Sequence, residues 1–217
     1  MPGEPPFDPE SYFAGKELTT NWTSRNYQLW ADVLAPQRER SLRILEIGSW
    51  EGRSALFFLN YLPNAHVVCV DTFAGSREHR AWPWWQRIRQ LRGLEGRFDR
   101  NLAAFGHRVR KIKDDSLHAL GRLGLEGQRF DVVYVDGSHL ALDVYRDGVL
   151  AWALVVRGGI LMFDDYQRRQ GPERDRPGVG IDAFLATVRG DYDELFRGHQ
   201  IIIRKTRDAI VPARRSG

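Results

Sequence analysis

A chain of 217 residues is of single-domain length, and its 42% hydrophobic content is enough to build a core. The net charge of +4 comes from 32 basic residues interspersed with 28 acidic ones, a balance that argues against a nucleic-acid partner. No apolar run reaches the ~20 residues of a membrane helix, and one cysteine, Cys69 in an apolar stretch, offers neither a disulfide framework nor a zinc knuckle.

In chain order, residues 1–40 read as an arm and a cap helix. The first 20 are rich in Pro and Gly, and the start Met-Pro-Gly-Glu-Pro-Pro lacks the basic and apolar parts of a secretion signal, so the expected location is cytoplasmic. Trp22, Tyr27, Leu29, Trp30, Val33 and Leu34 then fall at helical spacings before Pro36. Residues 41–217 read as the main domain.

That domain opens on Leu42 to Ile47, whose apolar run suits a central parallel strand covered on both faces. Gly48 and Gly52 flank a short turn, and Ser54 to Leu62 continues as an almost wholly apolar helix. A strand, glycine turn and helix in succession build a ligand site. The glycines admit close backbone approach, and free N–H groups at the helix start favour an anionic group. The second strand, Ala65 to Val70, ends at Asp71, 19 residues beyond Gly52. This is close to the ~20-residue offset at which a strand-tip acid reaches a ribose hydroxyl pair. The plainer reading of Asp71 is a surface strand-end acid.

The stretch Arg87 to Arg100 also carries Glu95 and Asp99 and reads as a solvated helix face. Trp82, Trp84 and Trp85 fit a lid, an aromatic substrate wall or plain packing. Strand Val109 to Lys113 is followed by Asp114-Asp115-Ser116, which either caps the helix running through Leu120 or reads a ligand's base edge. A fourth strand from Phe130 ends at Asp136, and Leu142, Tyr145, Val149, Trp152 and Val156 mark a helix stopping at Gly158-Gly159. Ile160 to Phe163 then runs into Asp164-Asp165-Tyr166. A helix near Gly180 to Val188 follows, then a hairpin of Tyr192 to Phe196 and Gln200 to Arg204, and a frayed tail, Ala213 to Gly217.

In an alternating β/α chain the first and fourth strands lie side by side, and ligands bind beyond their carboxyl ends. Asp136, Asp164 and Asp165 would then share an edge with Gly48 and Asp71. Carboxylates held so close repel one another and are driven toward protonation unless a cation neutralises them, and a hard divalent ion such as Mg²⁺ accepts that oxygen set. Ordinary capping is the alternative. His139, three residues after Asp136, fits either a general base or a helix-start histidine with no chemistry.

The ordered set Glu46-Ile-Gly-Ser-Trp-Glu-Gly-Arg-Ser54, Val70-Asp-Thr-Phe73, Asp115-Ser116, Val135-Asp-Gly-Ser-His139 and Phe163-Asp-Asp-Tyr166 resembles a class I S-adenosylmethionine-dependent methyltransferase. Within that class it is most similar to metal-dependent small-molecule O-methyltransferases acting on macrolide and other natural-product sugars, with catechol O-methyltransferase more distant. The resemblance implies a Rossmann-like, doubly wound α/β domain over 41–217 with a mixed seven-stranded sheet and helices on both faces. By that likeness Glu46, Gly48 and Gly52 surround the methionine end of the cofactor, Asp71 the ribose, and Asp115 with Ser116 the adenine. Ser49, Ser54, Thr72 and Asp136 complete the cofactor set. Asp136, Asp164 and Asp165 would hold Mg²⁺, and His139 with Asp136 would form the catalytic pair. The implied reaction is O-methylation of a small hydroxylated substrate, a natural-product sugar or diol, with no membrane partner and a homo-oligomer left open. An RNA methyltransferase, a hydroxylase-like protein and a binding protein on the same scaffold stand as alternatives. At 217 residues the sequence is expected to be without the large N-terminal domain of some sugar O-methyltransferases.

Overall fold

A computed structural model describes residues 7–76, 79 and 83–208. Trp82 and the tail expected to fray lie outside those residues. The strands β1 (Arg43–Ile47), β2 (His66–Asp71), β3 (Val109–Lys113), β4 (Phe130–Val135), β5 (Val155–Phe163), β6 (Tyr192–Arg197) and β7 (Ile201–Lys205) form a seven-stranded sheet. Its order is β3-β2-β1-β4-β5-β7-β6, with β7 antiparallel to both β5 and β6. This is the mixed Rossmann-like sheet that the family resemblance implies. No helix among the described residues is long and apolar enough to cross a membrane. The chain divides into two units, Met1–Ser116 with Asp136–Ser138, and Leu117–Val135 with His139–Gly217.

In the first unit β1 and β2 pair in parallel, Ile44 opposite Val67 and Ile47 opposite Val70. Four of the five β1 residues are buried, as a strand covered on both faces requires. Helix α2 (Arg53–Tyr61) is apolar nearly all round and correspondingly buried. Against it pack a short 3-10 helix (Pro9–Phe13) and α1 (Tyr27–Leu34), through rings that stack face to face. Tyr27 lies 5.1 Å from Phe57 at an interplanar angle of 6°, and Phe13 lies 5.1 Å from Tyr27. Phe13 and α1 are therefore part of this unit's core. The edge strand β3 carries Arg110, Lys111 and Lys113, charges that discourage pairing with another chain. Two further helices, α3 (Trp84–Leu91) and α4 (Leu94–Leu102), follow β2. Trp84 and Trp85 are exposed on α3.

The second unit holds α5 (Ser116–Leu125) from Leu117 onward, then β4, α6 (Ala141–Leu154), β5, α7 (Pro177–Thr187) and the β6–β7 hairpin. Helix α6 ends at Leu154, before the expected stop at Gly158-Gly159. Val155 and Val156 are β-branched and open β5 instead, pairing Phe130 with Val155. The register then shifts so that Val132 meets Ile160, and Gly158 takes φ +80° within the irregularity. Lys205 is buried at the end of β7, its Nζ donating to the carbonyls of Trp152 at 3.1 Å and Val155 at 2.8 Å. It thereby satisfies carbonyls that the end of α6 leaves open.

Candidate active site

In the first unit the glycine turn is held tightly. Gly48 donates to Val70 O at 2.9 Å, and Asp136 donates to Ile47 O at 2.8 Å. Gly48 takes φ +90°, and a Cβ there would sit 2.0 Å from the Asp136 carbonyl oxygen. No side chain fits that approach, so glycine is required. Asp71, at the tip of β2, accepts the Trp50 N–H at 2.8 Å through Oδ2 and the Phe73 N–H at 2.6 Å through Oδ1. Burial raises its pKa, against the lowering by the backbone N–H groups of Trp50, Phe73 and Ser49. Asp71 thus ties the turn to the loop after β2. Thr72 uses its hydroxyl to accept the Ala74 N–H at 3.2 Å.

Glu46 is fully buried on β1. Neither of its carboxylate oxygens completes a hydrogen bond, and neither does the buried Ser49 hydroxyl. Burial is the largest influence and holds the Glu46 carboxyl above its ordinary pKa, although Ser49, Ser54 and Cys69 stand where they favour the charge. An orphaned buried acid is costly and calls for a ligand. Ser54 is buried in the first turn of α2. At the end of β3, Asp114 donates to the Asp71 carbonyl at 3.2 Å, and its side chain accepts the Asp115 N–H at 2.9 Å, just before Ser116 begins α5.

The second unit holds His139, Asp164 and Asp165. Asp164 is buried, its Oδ2 accepting from the Tyr134 hydroxyl at 2.6 Å and its Oδ1 from the Asp165 N–H at 2.7 Å. Its own N–H donates to Val135 O at 3.0 Å. Asp165 takes φ +56°, a left-handed conformation that costs a non-glycine residue energy and recurs at functional sites. Its Oδ2 lies 2.8 Å from His139 Nε2 and 3.1 Å from an Arg168 terminal nitrogen. Burial pulls the Asp165 pKa upward, but the bond to His139 and the charges of His139 and Arg168 leave it below the ordinary value.

Some of the supporting residues have no signal in the sequence. Tyr134 reads as plain strand core, yet its hydroxyl orients Asp164. Arg97, expected on a solvated helix face, is instead buried and bonded to Glu51 in the glycine turn at 2.6 Å. The reason is that α4 packs toward α2, which turns Arg97 inward to a buried acid. Only the placement of an acid in an otherwise uncharged turn could have drawn attention to Glu51.

A family model described as a methyltransferase domain matches residues 45–166, more than half of the chain. The chain belongs to this methyltransferase family. The uncharacterized protein R132 of Acanthamoeba polyphaga mimivirus is 24% identical over 180 residues, covering 78% of this chain and 73% of that protein. Among solved structures, the MycE methyltransferase from the mycinamycin biosynthetic pathway, in complex with Mg, SAH and mycinamycin VI, matches with a TM-score of 0.62. It is 19% identical, and the match covers 91% of this chain and 53% of that one, so the chain spans about half the length of MycE. The O-methyltransferase from Bacillus cereus in complex with SAH matches with a TM-score of 0.63 at 17% identity, covering 90% and 88% of the two chains. At these identities the solved structures establish a shared fold for this methyltransferase-family chain.

Proposed function

We propose that this methyltransferase-family chain transfers a methyl group from S-adenosylmethionine to a hydroxyl of a small molecule, with Mg²⁺ assistance. The observation that carries the cofactor reading is the first unit's turn, where Glu46 lies buried without a partner beside a glycine whose Cβ position is filled by backbone. The unpartnered Glu46 carboxylate is suited to the α-ammonium of the methionyl group, and Asp71 to the ribose hydroxyls. Asp115 and Ser116 are assigned to the adenine, and Ser49, Gly52, Ser54 and Thr72 to the walls around the cofactor.

The residues proposed to hold a divalent cation are Asp136, Asp164 and Asp165. Their donors are all carboxylate oxygens, the chemistry a hard ion prefers, and the Tyr134 hydroxyl fixes Asp164 in the manner of an outer-sphere partner. A bound cation would supply the positive charge that favours loss of an acceptor's hydroxyl proton. His139 is assigned as the base that takes this proton, and Asp165, 2.8 Å from Nε2, stabilises the imidazolium that results. The chain needs no covalent intermediate. Its contribution would be to hold the acceptor hydroxyl and the methyl donor together for transfer. A vicinal diol or a natural-product sugar is the acceptor class this set suits, in keeping with the mycinamycin VI of the MycE complex. The arginines give less support to an RNA substrate, because Arg97 and Arg100 pair with Glu51 and Glu17, and Lys111 and Lys113 with Glu95.

Isothermal titration with S-adenosylhomocysteine, with and without Mg²⁺, tests the cofactor reading. Micromolar binding supports it and directs a screen of diols and sugars. No binding by folded protein sinks it.

A further inference from the structure

The glycine turn contains three left-handed residues in a span of five. Gly48 and Gly52 adopt such backbone freely, but Trp50, at φ +49°, does so only because its surroundings hold it. One constraint is the Asp71 carboxylate on its N–H. The other is the next residue, Glu51, whose side chain is buried and fully engaged. Its Oε1 accepts from Arg97 Nε at 2.6 Å and from the Thr19 hydroxyl at 2.7 Å, and its Oε2 accepts the Thr19 N–H at 2.7 Å. Its backbone carbonyl accepts from Asn101 Nδ2 at 2.9 Å.

Asn101 binds the same N-terminal segment a second time. Its Oδ1 accepts the Glu17 N–H at 2.7 Å, its Nδ2 donates to Glu17 O at 3.1 Å, and its carbonyl accepts from Lys16 Nζ at 2.9 Å. Arg97 is locked in turn by the carbonyls of Arg92 and Gln90. Just beyond Thr19, the Trp22 ring lies 5.4 Å from the ring of Trp50, which lies 4.9 Å from that of His79. Residues Lys16 to Trp22 therefore form a strap that touches the turn at Glu51 and at Trp50, while α4 holds both strap and turn through Arg97 and Asn101.

The geometry points to Glu51 as a positioning residue that couples the N-terminal strap to cofactor affinity. With the strap seated, Glu51 and Trp50 are held, and the turn presents the backbone that S-adenosylmethionine requires. With the strap released, the left-handed Trp50 relaxes and the site is lost. By linkage the coupling runs both ways, so a bound cofactor must tighten the strap. This inference rests on the cofactor reading of the turn.

The test uses the full chain, with S-adenosylhomocysteine as the probe. Calorimetry gives its Kd for the wild type, Glu51→Gln and Thr19→Val, and amide hydrogen exchange follows the Thr19 N–H with and without the probe. Thr19 is exposed and its substitution leaves the buried Glu51–Arg97 pair intact, so Thr19→Val separates strap docking from core stability. The expected result is a Kd raised at least tenfold by Glu51→Gln and about threefold by Thr19→Val, with Thr19 exchange slowed at least tenfold by the probe in the wild type. Wild-type binding with unchanged Thr19 exchange, or a Thr19→Val Kd equal to that of the wild type, overturns the coupling and leaves the cofactor reading standing. No binding to folded wild type overturns the cofactor reading and the coupling together.

Discussion

The backbone N–H of Trp50 donates to Asp71 Oδ2 at 2.8 Å, joining the turn after β1 to the tip of β2. Asp71 therefore shapes the turn, in addition to the ribose contact proposed for it. Asp71→Ala removes acceptors from the Trp50 and Phe73 N–H groups, each bond to a charged acceptor being worth about 1.5–3 kcal/mol. S-adenosylhomocysteine affinity should fall roughly 10–100-fold on that scale. Asp71→Asn, which keeps one acceptor oxygen, should lie between Ala and wild type. Calorimetry decides, and equal affinities for all three proteins would show that Asp71 serves neither purpose.

Gly48→Ala tests the close approach of backbone to Asp136. The new methyl would lie 2.0 Å from the Asp136 carbonyl oxygen at φ +90°. We expect a loss of about 3 kcal/mol in urea unfolding and the loss of measurable cofactor binding. A variant as stable as wild type would mean that the turn moves aside at little cost.

Glu46 gives a pH signature. Burial raises its folded-state pKa above the unfolded value of about 4.3. Its contribution to stability is therefore fully present below that unfolded value and is lost as pH rises through the folded pKa. Glu46→Gln removes this titration. Without cofactor, the variant should gain stability relative to wild type as pH rises above the unfolded value of about 4.3 in urea unfolding, while binding S-adenosylhomocysteine more weakly. A stability difference independent of pH would contradict the raised pKa.

His139 and the acids of the second unit should affect turnover and spare cofactor binding. His139→Ala should lower kcat by about 10²–10⁴-fold, the usual range for a lost general base, with the Kd for S-adenosylhomocysteine unchanged within about twofold. Asp165→Ala should behave similarly, because it removes the partner of His139. Once an acceptor is found, EDTA should abolish methyl transfer and added Mg²⁺ should restore it. Full activity in EDTA would rule out the metal.

Much of the fold was legible in the sequence because its central strands are short apolar runs ending in marked turns. Leu42 to Ile47 and Ala65 to Val70 emerge within a residue or so of their observed limits, since burial on both faces leaves little choice of residue. The Gly48 turn and Asp71 were visible for the same reason, being local departures from an apolar pattern. The start of β5 was not. Val155 to Gly159 fits the end of a helix by spacing, and only pairing with β4, with its register shift, draws those residues into the sheet.

The partners of the site residues were decided by tertiary structure alone. The ion pair of Glu51 with Arg97 spans 46 residues, and the bonds of Glu51 to Thr19 span 32. Tyr134 and Asp164 meet across neighbouring strands 30 residues apart. Periodicity reports which face of an element is buried, because burial is a property of each residue with its near neighbours. It carries no information about which buried acid meets which distant donor. That depends on where the elements come to rest, so the sequence by itself determined the strands, the glycine turn and the acids at the strand ends. Packing decided that Glu51 holds the strap and that Tyr134 holds Asp164.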